Sequence, residues 1–407
     1  MTLVTSSDAA HRTFETCPGP LSAAVIGVGA RAGLATHLAA AGAHVVAAVD
    51  PDERTRARVT ELFGARMPLL PDVPALLAAL PDLDLAVVAG PDDTHASTAI
   101  ALLRAGVAVY LEKPLAITTE DCDQVLRTAY ETGTRLYVGH NMRHMHVVRL
   151  MKQIIERGEI GEVKAIWCRH FVGNGGDYYF KDWHAERVRG TGLLLQKGAH
   201  DLDVMHWLAG STTRMVTGVG DLMVYGEVTD RRDNSDRRLR DWFSHDHWPP
   251  LAQTELNPVI DVEDISMITG RLDSGALISY QQCHFTPDYW RNYTVIGTEG
   301  RLENFGDGEG GEVRVWNRRS GFVERGHVQY PIVGDADGHG DADALTVAEF
   351  VAFVRDGSPT DTSPLSARDA VATGVAATES IRDGSKPVRV PPAAADLQDY
   401  FRAGQPR

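Results

Sequence analysis

Short apolar runs alternate with mixed segments over the first third of the chain. The runs at 23–26, 44–49, 85–89, 107–111 and 136–138 have the length and composition of buried strands. Segments of helical composition separate them at 34–41, 54–63, 73–80, 96–104 and 120–131. Strands that alternate with helices predict a parallel, doubly wound sheet with right-handed crossovers.

The pattern changes after about residue 139. A helix is predicted at 147–157, and strand-like segments follow at 163–171, 265–272, 276–285, 293–297 and 313–316. Turn residues separate these strands, which predicts a mostly antiparallel sheet. Further helices are expected at 201–208, 342–355 and 367–381, the last capped by Ser366, and the highly charged stretch 230–240 is expected to be a surface loop.

These patterns predict an α/β protein with an N-terminal Rossmann domain, a doubly wound parallel sheet. A C-terminal α/β domain with a large, open, mostly antiparallel sheet is expected to follow it. The predicted segments are a flexible tail at 1–20, the dinucleotide-binding domain at 21–143, a substrate-binding and oligomerisation domain at 144–395, and a C-terminal tail at 396–407.

The turn after the first strand has the form that dinucleotide-binding domains require. It reads Gly27-Val28-Gly29-Ala30-Arg31-Ala32-Gly33. Gly27 permits a tight turn, Gly29 lets the backbone approach a pyrophosphate, and the following helix offers free N–H groups to phosphates. Asp50 ends the second strand, where a carboxylate binds the adenosine ribose and repels a 2′-phosphate. We therefore expect NAD, while the nearby Arg54 leaves NADP open.

Composition and charge limit the kinds of molecule that the protein is expected to bind. The chain has 407 residues and a formal net charge of −15, which argues against nucleic acid, anionic membranes and polyanionic substrates. Its four cysteines are widely separated, so neither a disulfide framework nor a zinc site is indicated. The first twenty residues lack an apolar signal core, and no apolar run could span a bilayer. We expect a cytoplasmic protein with a small-molecule substrate.

Polar residues follow the predicted strands at the edge where such sheets bind ligands. These residues are Asp50, Pro91-Asp92, Glu112-Lys113 and His140-Asn141. An ammonium at Lys113 could donate to a substrate hydroxyl and stabilise the alkoxide that forms as hydride leaves. The alternative is an ordinary solvated lysine in a turn.

A second cluster, Gln196 to Asp203, opens the predicted helix at 201–208. His200 could accept the hydroxyl proton as a general base, with Asp201 or Asp203 orienting it. The alternative is that both aspartates simply cap the helix N-terminus. From spacing alone, both interpretations stay open.

Together these motifs resemble the Gfo/Idh/MocA oxidoreductases. The motifs that carry the resemblance are the glycine turn with Asp50, Pro91-x-x-x-His95, Glu112-Lys113-Pro114 and Ile296-Gly297-Thr298-Glu299-Gly300-Arg301. The resemblance extends over residues 21–390. It implies that Lys113 is catalytic, that the bond before Pro114 is often cis, and that a downstream Asp-x-x-x-His motif supplies His200.

Position 196 departs from that family pattern, because glutamine replaces the aspartate of the motif. A glutamine can hydrogen-bond a hydroxyl but cannot carry a proton at neutral pH. We expect Lys197 in the pocket. Substrate contacts are expected from Gln196, Lys197, Asp201, Arg143 and Trp183, and cofactor contacts from Gly27, Val28, Gly29, Ala30, Arg31, Asp50, Arg54, Pro91, Asp92, His95, Glu112, Lys113 and Asn141.

The expected function is hydride transfer between NAD(P) and a secondary alcohol or ketone carbon of a sugar, glycoside or cyclitol, in a homodimer or homotetramer. Because glutamine stands at position 196, two alternative functions stay open. One is an NAD-dependent, redox-neutral glycoside-cleaving enzyme, and the other is a sugar or dinucleotide sensor without turnover. No metal is expected. The acidic stretch 335–343 resembles a calcium loop but has Thr346 where a bidentate Glu is needed. His245-Asp246-His247 lacks further ligands at a telling spacing, so a solvated loop is expected there.

Overall fold

The computed structural model describes residues 19–334 and 341–406. Nearly all of the predicted N-terminal tail, residues 1–20, lies outside the described residues. Within the described part, the strands form a six-stranded sheet and a nine-stranded sheet. None of the described helices is long and apolar enough to cross a bilayer.

The first sheet confirms the predicted doubly wound architecture. Its strand order is β3-β2-β1-β4-β5-β6, and every neighbouring pair is parallel. The strands are β1 Leu21–Ile26, β2 Ala43–Val49, β3 Leu69–Leu70, β4 Leu85–Val88, β5 Ala108–Leu111 and β6 Leu136–Val138. The helices are α1 Leu38–Ala41, α2 Arg56–Phe63, α3 Val73–Ala79, α4 His95–Arg104 and α5 Thr119–Thr132. The central strands are buried on both faces, which explains their unbroken apolar sequences.

The helix after the glycine turn differs in form from the prediction. A 3₁₀ helix spans Ala30–His37 and continues into the single α-helical turn of α1. Gly42 ends it with φ of +89°, a conformation that glycine adopts without steric cost. The predicted helical segment 34–41 is therefore present, but it begins earlier and is wound more tightly.

The second sheet has the order β14-β13-β12-β11-β7-β10-β9-β8-β15, and its neighbours are antiparallel except β7 and β10. Its strands are β7 Val163–Phe171, β8 Thr213–Asp221, β9 Ile265–Leu272, β10 Leu277–Cys283, β11 Trp290–Gly297, β12 Arg301–Phe305, β13 Glu312–Trp316, β14 Val328–Pro331 and β15 Val388–Arg389. The remaining helices are α6 His146–Glu156, α7 Gly175–Tyr179, α8 Arg187–Gly190, α9 Leu193–Gln196, α10 Gly198–Ala209, α11 Leu239–Trp242, α12 Ala342–Asp356, α13 Pro364–Arg382 and α14 Ala395–Arg402. One face of this sheet packs on α6, α10 and α13 to form the core of the domain.

The C-terminal helices return to the first domain and cover both faces of its sheet. Phe350 of α12 joins the core on one face, and Val371 of α13 joins the core on the other. Ser363, and not Ser366, caps α13: its side chain accepts the Leu365 N–H at 3.2 Å, with Pro364 at the first helical position.

The predicted C-terminal tail, residues 396–407, instead forms most of the packed helix α14. Leu397, Tyr400 and Phe401 form an apolar stripe that is buried against the first domain. Beyond the helix, the Gln405 side chain accepts the Leu136 N–H at 3.0 Å and donates to its carbonyl oxygen at 2.8 Å. This amide therefore completes the exposed edge of β6 like a short extra strand.

Residues 172–191 and 222–264 form a small lobe, here called the cap, with its own apolar core around Phe180, Tyr225 and Leu256. The predicted surface loop 230–240 belongs to this cap, and it is not free of the first domain. Arg238 forms an ion pair with Asp52 at 2.7 Å, and Arg54 donates to the Ser235 carbonyl oxygen at 3.0 Å. The cap therefore bridges the two domains.

Candidate active site

The glycine turn lies where the strand order reverses, between β1 and β4, which is where doubly wound sheets bind ligands. Gly27 has φ of +87°, and a Cβ atom there would lie 2.5 Å from the Gly90 nitrogen, so only glycine fits. At Gly29, by contrast, a Cβ atom would have no neighbour within 4 Å among the described residues. The turn therefore packs closely against Gly90 at Gly27 and is open at Gly29, which fits a pyrophosphate bound at Gly29.

Asp50 lies directly beneath this turn. Its carboxylate accepts the Val28 N–H at 2.8 Å and the Asp52 N–H at 2.9 Å, which fixes it at the end of β2. Arg54 does not contact Asp50; it is exposed and bonds Asp52 at 2.8 Å. The position of Asp50 fits the predicted contact with an adenosine ribose.

Four polar residues brace the turn against the rest of the site. Arg31 donates to Glu112 at 2.8 Å and to both carboxylate oxygens of Asp343, and Asn141 donates to the same Asp343 carboxylate at 2.8 Å. The side chains of Arg31 and Glu112, predicted as cofactor contacts, are thus bonded to protein groups in this structure. Asp343, from α12, was not anticipated, because its contact with the turn is formed by the tertiary fold.

The loop after β4 carries Pro91, Asp92 and His95. The His95 ring nitrogens lie 2.7 Å from the Pro114 carbonyl oxygen and 3.1 Å from that of Gly90, so this side chain joins two loops and does not face the cleft. Asp92 is buried, and burial raises the pKa of its carboxyl group although His95 and Lys113 oppose that effect. The Lys113–Pro114 bond is cis, as the resemblance implies.

Lys113 follows the end of β5, and its side chain reaches the second domain. Its Nζ donates to the backbone carbonyl oxygen of Gln196 at 3.1 Å. Burial lowers the pKa of Lys113, while Asp92 and Glu112 oppose that shift. The contact with Gln196 places the ammonium at the start of α10, so the alternative of a solvated surface lysine is wrong.

His200 lies in the first turn of α10 and is buried. Its ring packs edge-on against His140, with 6.3 Å between the ring centroids. Burial lowers the pKa of His140, and the Asp203 carboxylate 3.5 Å away only partly offsets this effect. Lys113, His140 and His200 therefore meet at the junction of the two domains.

Asp203 and Arg143 form a buried bidentate ion pair, with bonds of 2.7 and 2.6 Å. The remaining Arg143 nitrogen donates to the Asp361 carbonyl oxygen at 2.6 Å. Arg143 is predicted to bind substrate, but each of its three guanidinium nitrogens donates to a protein group. It instead holds α10 against the 3₁₀ helix Asn141–His144.

Asp201 is the centre of a second buried network, and its predicted substrate contact is not seen. Its carboxylate accepts from His170 at 2.8 Å, from Tyr280 at 3.0 Å and from Tyr293, and it pairs with Arg291 at 3.0 Å. Burial alone would raise the pKa of Asp201, but Arg291 and His170 outweigh it and hold that pKa well below its ordinary value. Asp201 therefore neither caps α10 nor faces a substrate.

Comparison with known proteins agrees with this geometry. Residues 21–140 match the oxidoreductase-family model for an NAD-binding Rossmann fold, and residues 152–390 match the model for the C-terminal alpha/beta domain of the same family. The chain belongs to the Gfo/Idh/MocA family of oxidoreductases. Its first domain is thus an NAD-binding Rossmann domain.

Individual relatives of this Gfo/Idh/MocA protein are distant. YteT, a candidate oxidoreductase of Bacillus subtilis strain 168, is 26% identical over 311 residues, which are 66% of this chain and 72% of YteT. The 2,7-anhydro-N-acetylneuraminate hydratase of Mediterraneibacter gnavus is 32% identical over 221 residues, 51% of this chain and 57% of the hydratase. A levoglucosan dehydrogenase solved with NADH and L-sorbose superposes with a TM-score of 0.75 at 19% identity, over 92% of this chain and all of that one; this likeness shows the fold.

The family pattern makes the departure at position 196 visible in the structure. Gln196 is buried, and its Oε1 has no hydrogen-bond partner among the described residues. Its neighbour Lys197 is partly buried and lies immediately before α10. The buried amide oxygen of Gln196 is therefore available to accept a hydrogen bond from a ligand hydroxyl group or an ordered water.

The cap contributes aromatic side chains and holds the two histidines that were considered as metal ligands. Trp183 stacks on His184 with 3.7 Å between centroids. His247 bonds the buried Asp177 at 2.8 Å, so it anchors the cap and is not part of a solvated loop. Residues 335–340 of the calcium-like stretch lie outside the described residues.

One cluster of metal-ligating type exists elsewhere among the described residues. His144, Glu349 and Asp361 have ligand atoms within 4.8 Å of one another. Arg149 bonds both His144 and Asp361, at 2.9 and 2.5 Å, and thus supplies positive charge where a metal ion would lie. The cluster is accounted for as an ion-pair network.

Proposed function

We propose that this protein transfers a hydride between NAD and a secondary alcohol or ketone carbon of a sugar, glycoside or cyclitol. The observation that carries the proposal is the Lys113 ammonium, which lies 3.1 Å from the carbonyl oxygen of Gln196, four residues before His200. The levoglucosan dehydrogenase fold supports the substrate class by analogy.

Each residue has a defined part in this proposal. Lys113 donates a hydrogen bond to the reacting oxygen and stabilises the negative charge that develops there. His200 accepts the proton of the hydroxyl group. The nicotinamide, when bound, supplies or accepts the hydride. The backbone of the glycine turn holds the pyrophosphate, and Asp50 holds the adenosine ribose.

We infer a preference for NAD over NADP from the charges near the ribose. Asp50 offers an acceptor to a 2′-hydroxyl and repels a 2′-phosphate. The nearby cations Arg54 and Arg238 both bind Asp52, so this one carboxylate offsets part of their charge. Comparing the dissociation constants of NADH and NADPH by fluorescence titration checks this preference.

A substrate panel tests the proposed reaction. The protein is mixed with NAD and with sugars, glycosides and inositols, and absorbance of the reduced nicotinamide is followed. Lys113→Met should lower kcat by about 100-fold or more, because one charge-stabilising donor in an active site is worth that much. The affinity for NADH should stay within about two-fold, since Lys113 does not touch the glycine turn. Turnover kept near the wild-type rate would contradict the assigned role.

Gln196 favours a second candidate, a redox-neutral reaction in which hydride removed from the substrate is later returned. Its amide cannot act as the proton carrier expected at that position, and one relative is named as a hydratase. Such an enzyme would convert substrate without net NADH formation and would retain its cofactor through purification. Product analysis by mass spectrometry alongside absorbance separates the two candidates.

We further propose that the protein is a homodimer or homotetramer assembled through the outer face of the nine-stranded sheet. Trp167, Val219 and Met267 are 52%, 50% and 45% exposed there, on strands close to one another in the sheet. A depression of about 680 Å³ also lies on this face, far from Lys113, and Trp167 lines it. An exposed apolar patch of this kind is typical of an interaction surface.

A further inference from the structure

The arginines around the cleft are each neutralised by a carboxylate. These pairs are Arg31 with Glu112 and Asp343, Arg143 with Asp203, and Arg291 with Asp201. Lys197 differs from them: among the described residues, its ammonium has neither an ion-pair partner nor a hydrogen-bond partner. Within the described part of the chain, no carboxylate therefore bonds directly to this ammonium.

The groups around Lys197 disfavour the positive charge of its side chain. Burial, together with the positive charges of Arg291 and Lys113, lowers the pKa of Lys197 to about 7, although Asp201 and Asp307 act in the opposite direction. Both Asp201 and Asp307 lie beside Arg291 as well, at 3.0 and 4.0 Å, so their charge is shared. A ligand anion would therefore be stabilised at Lys197 and would stabilise the protonated amine in return.

The neighbouring histidines do not alter this charge balance. Burial lowers the pKa of His170 and of His284 to about 3, so both rings are neutral at physiological pH. Lys197 thus remains the cation without a partner on the second-domain side of the cleft.

Two buried amides near Lys197 also lack partners. Gln196 Oε1 and one end of the Gln282 amide have no hydrogen bond within the described part of the chain. Gln282 lies next to the turn that carries Lys197, because a Cβ atom on Gly198 would be 3.6 Å from its Oε1. Such groups fit the hydroxyl groups of a ligand, which would complete their hydrogen bonds.

Resting on the proposed function, we propose that Lys197 binds a carboxylate group of the substrate, so that the preferred substrates are sugar acids or carboxylated cyclitols and not neutral sugars. Lys113 then holds the reacting hydroxyl group while Lys197 holds the acid. One free ammonium matches one negative charge. Arg291, the other strong anion-binding group nearby, is already occupied by Asp201, so a phosphate dianion would lack the donors it requires.

The test measures binding and does not depend on turnover. The protein saturated with NADH is titrated with pairs of ligands of equal shape: glucuronate and glucuronamide, galacturonate and galacturonamide, and gluconate and gluconamide, with glucose 6-phosphate as a dianion. Binding is followed by NADH fluorescence and by calorimetry. At least one acid should bind about 10-fold or more tightly than its amide, since a hydrogen-bonded charge contributes that much.

Lys197→Met should abolish this preference, and Lys197→Arg should keep it. Lys164→Met, which removes an exposed lysine paired with Glu162, serves as the matched control and should change nothing. The acid preference of the wild type should also weaken above about pH 7, as the free amine loses its proton.

Equal binding of every acid and its amide, or an acid preference that survives Lys197→Met, would overturn the proposal, as would tighter binding of the phosphate. Each variant is first checked for folding and for NADH binding, and Lys197→Gln replaces Lys197→Met if the latter does not fold. Failure of the proposed function appears differently: the acids would bind with the expected preference, but no nicotinamide would be reduced or oxidised in their presence.

Discussion

Replacing Asp201 by Asn should strongly destabilise the second domain, because the Asp201 carboxylate is a buried charge that is bonded by protein groups and does not reach solvent. Asp201 is fully buried, and its carboxylate is bonded by His170, Tyr280, Tyr293 and Arg291. Removing one partner of a buried ion pair leaves the other charge uncompensated and costs about 3–5 kcal/mol. For a domain of this size, that corresponds to a fall in Tm of about 10 °C.

The assay is thermal unfolding followed by circular dichroism at neutral pH, with Asp383→Asn as the matched control. Asp383 pairs with Lys386 on the surface, where both side chains are more than half exposed, so its loss should cost less than about 1 kcal/mol. The double variant Asp201→Asn with Arg291→Met should recover part of the lost stability, because it removes both charges. A Tm for Asp201→Asn within about 2 °C of the wild type would refute the reasoning.

The same carboxylate should govern acid unfolding. The pKa of Asp201 lies well below its ordinary value in the folded protein, so the folded state binds fewer protons than the unfolded state as pH falls. Its contribution is therefore complete above the unfolded pKa of about 4 and is lost progressively below it. The Tm difference between the wild type and Asp201→Asn should be constant from pH 8 to about pH 5 and should shrink at lower pH.

Two further predictions concern the cap and the outer sheet. Arg238→Ala removes the ion pair with Asp52 that bridges the cap to the first domain, so NADH release, measured by stopped-flow fluorescence, should accelerate about two- to five-fold at low salt, as expected for an exposed pair. Arg240→Ala on the same helix should not change the rate, and an equal effect of both variants would contradict the bridge. Trp167→Arg places a charge on the outer sheet face and should lower the mass measured by light scattering; an unchanged oligomer would exclude that face as the interface.

The first domain could be predicted closely from sequence because its signals are local. Each buried strand is an unbroken apolar run, and the chemistry follows directly at the strand ends, as at Asp50 and Lys113. The second sheet was predicted less completely. Strand β8 was missed because Gly218 and Gly220 interrupt its apolar pattern, and both lie close beneath Ile381 of α13, where a larger residue would collide.

Some residues of the candidate site could likewise be predicted from local sequence signals, and others could not. The positions of Lys113 and His200 followed from strand ends and from the resemblance, and the structure brings both to the domain junction. The partners of Arg143 and Asp201 could not be predicted, because they come from helices and strands distant in sequence. An isolated charged residue looks the same in sequence whether it faces a ligand or a buried counter-ion, and only the fold separates the two cases.

In the turn between α9 and α10, the glutamine at position 196 is followed directly by Lys197. Glutamine at position 196 removes the negative charge that the family pattern places near Lys113, and Lys197 follows it without a carboxylate partner among the described residues. With a neutral substrate, burial and the charge of Lys113 disfavour the protonated form of Lys197. An acidic substrate supplies the missing negative charge itself, so a carboxylate that other members carry in the protein is here brought by the ligand.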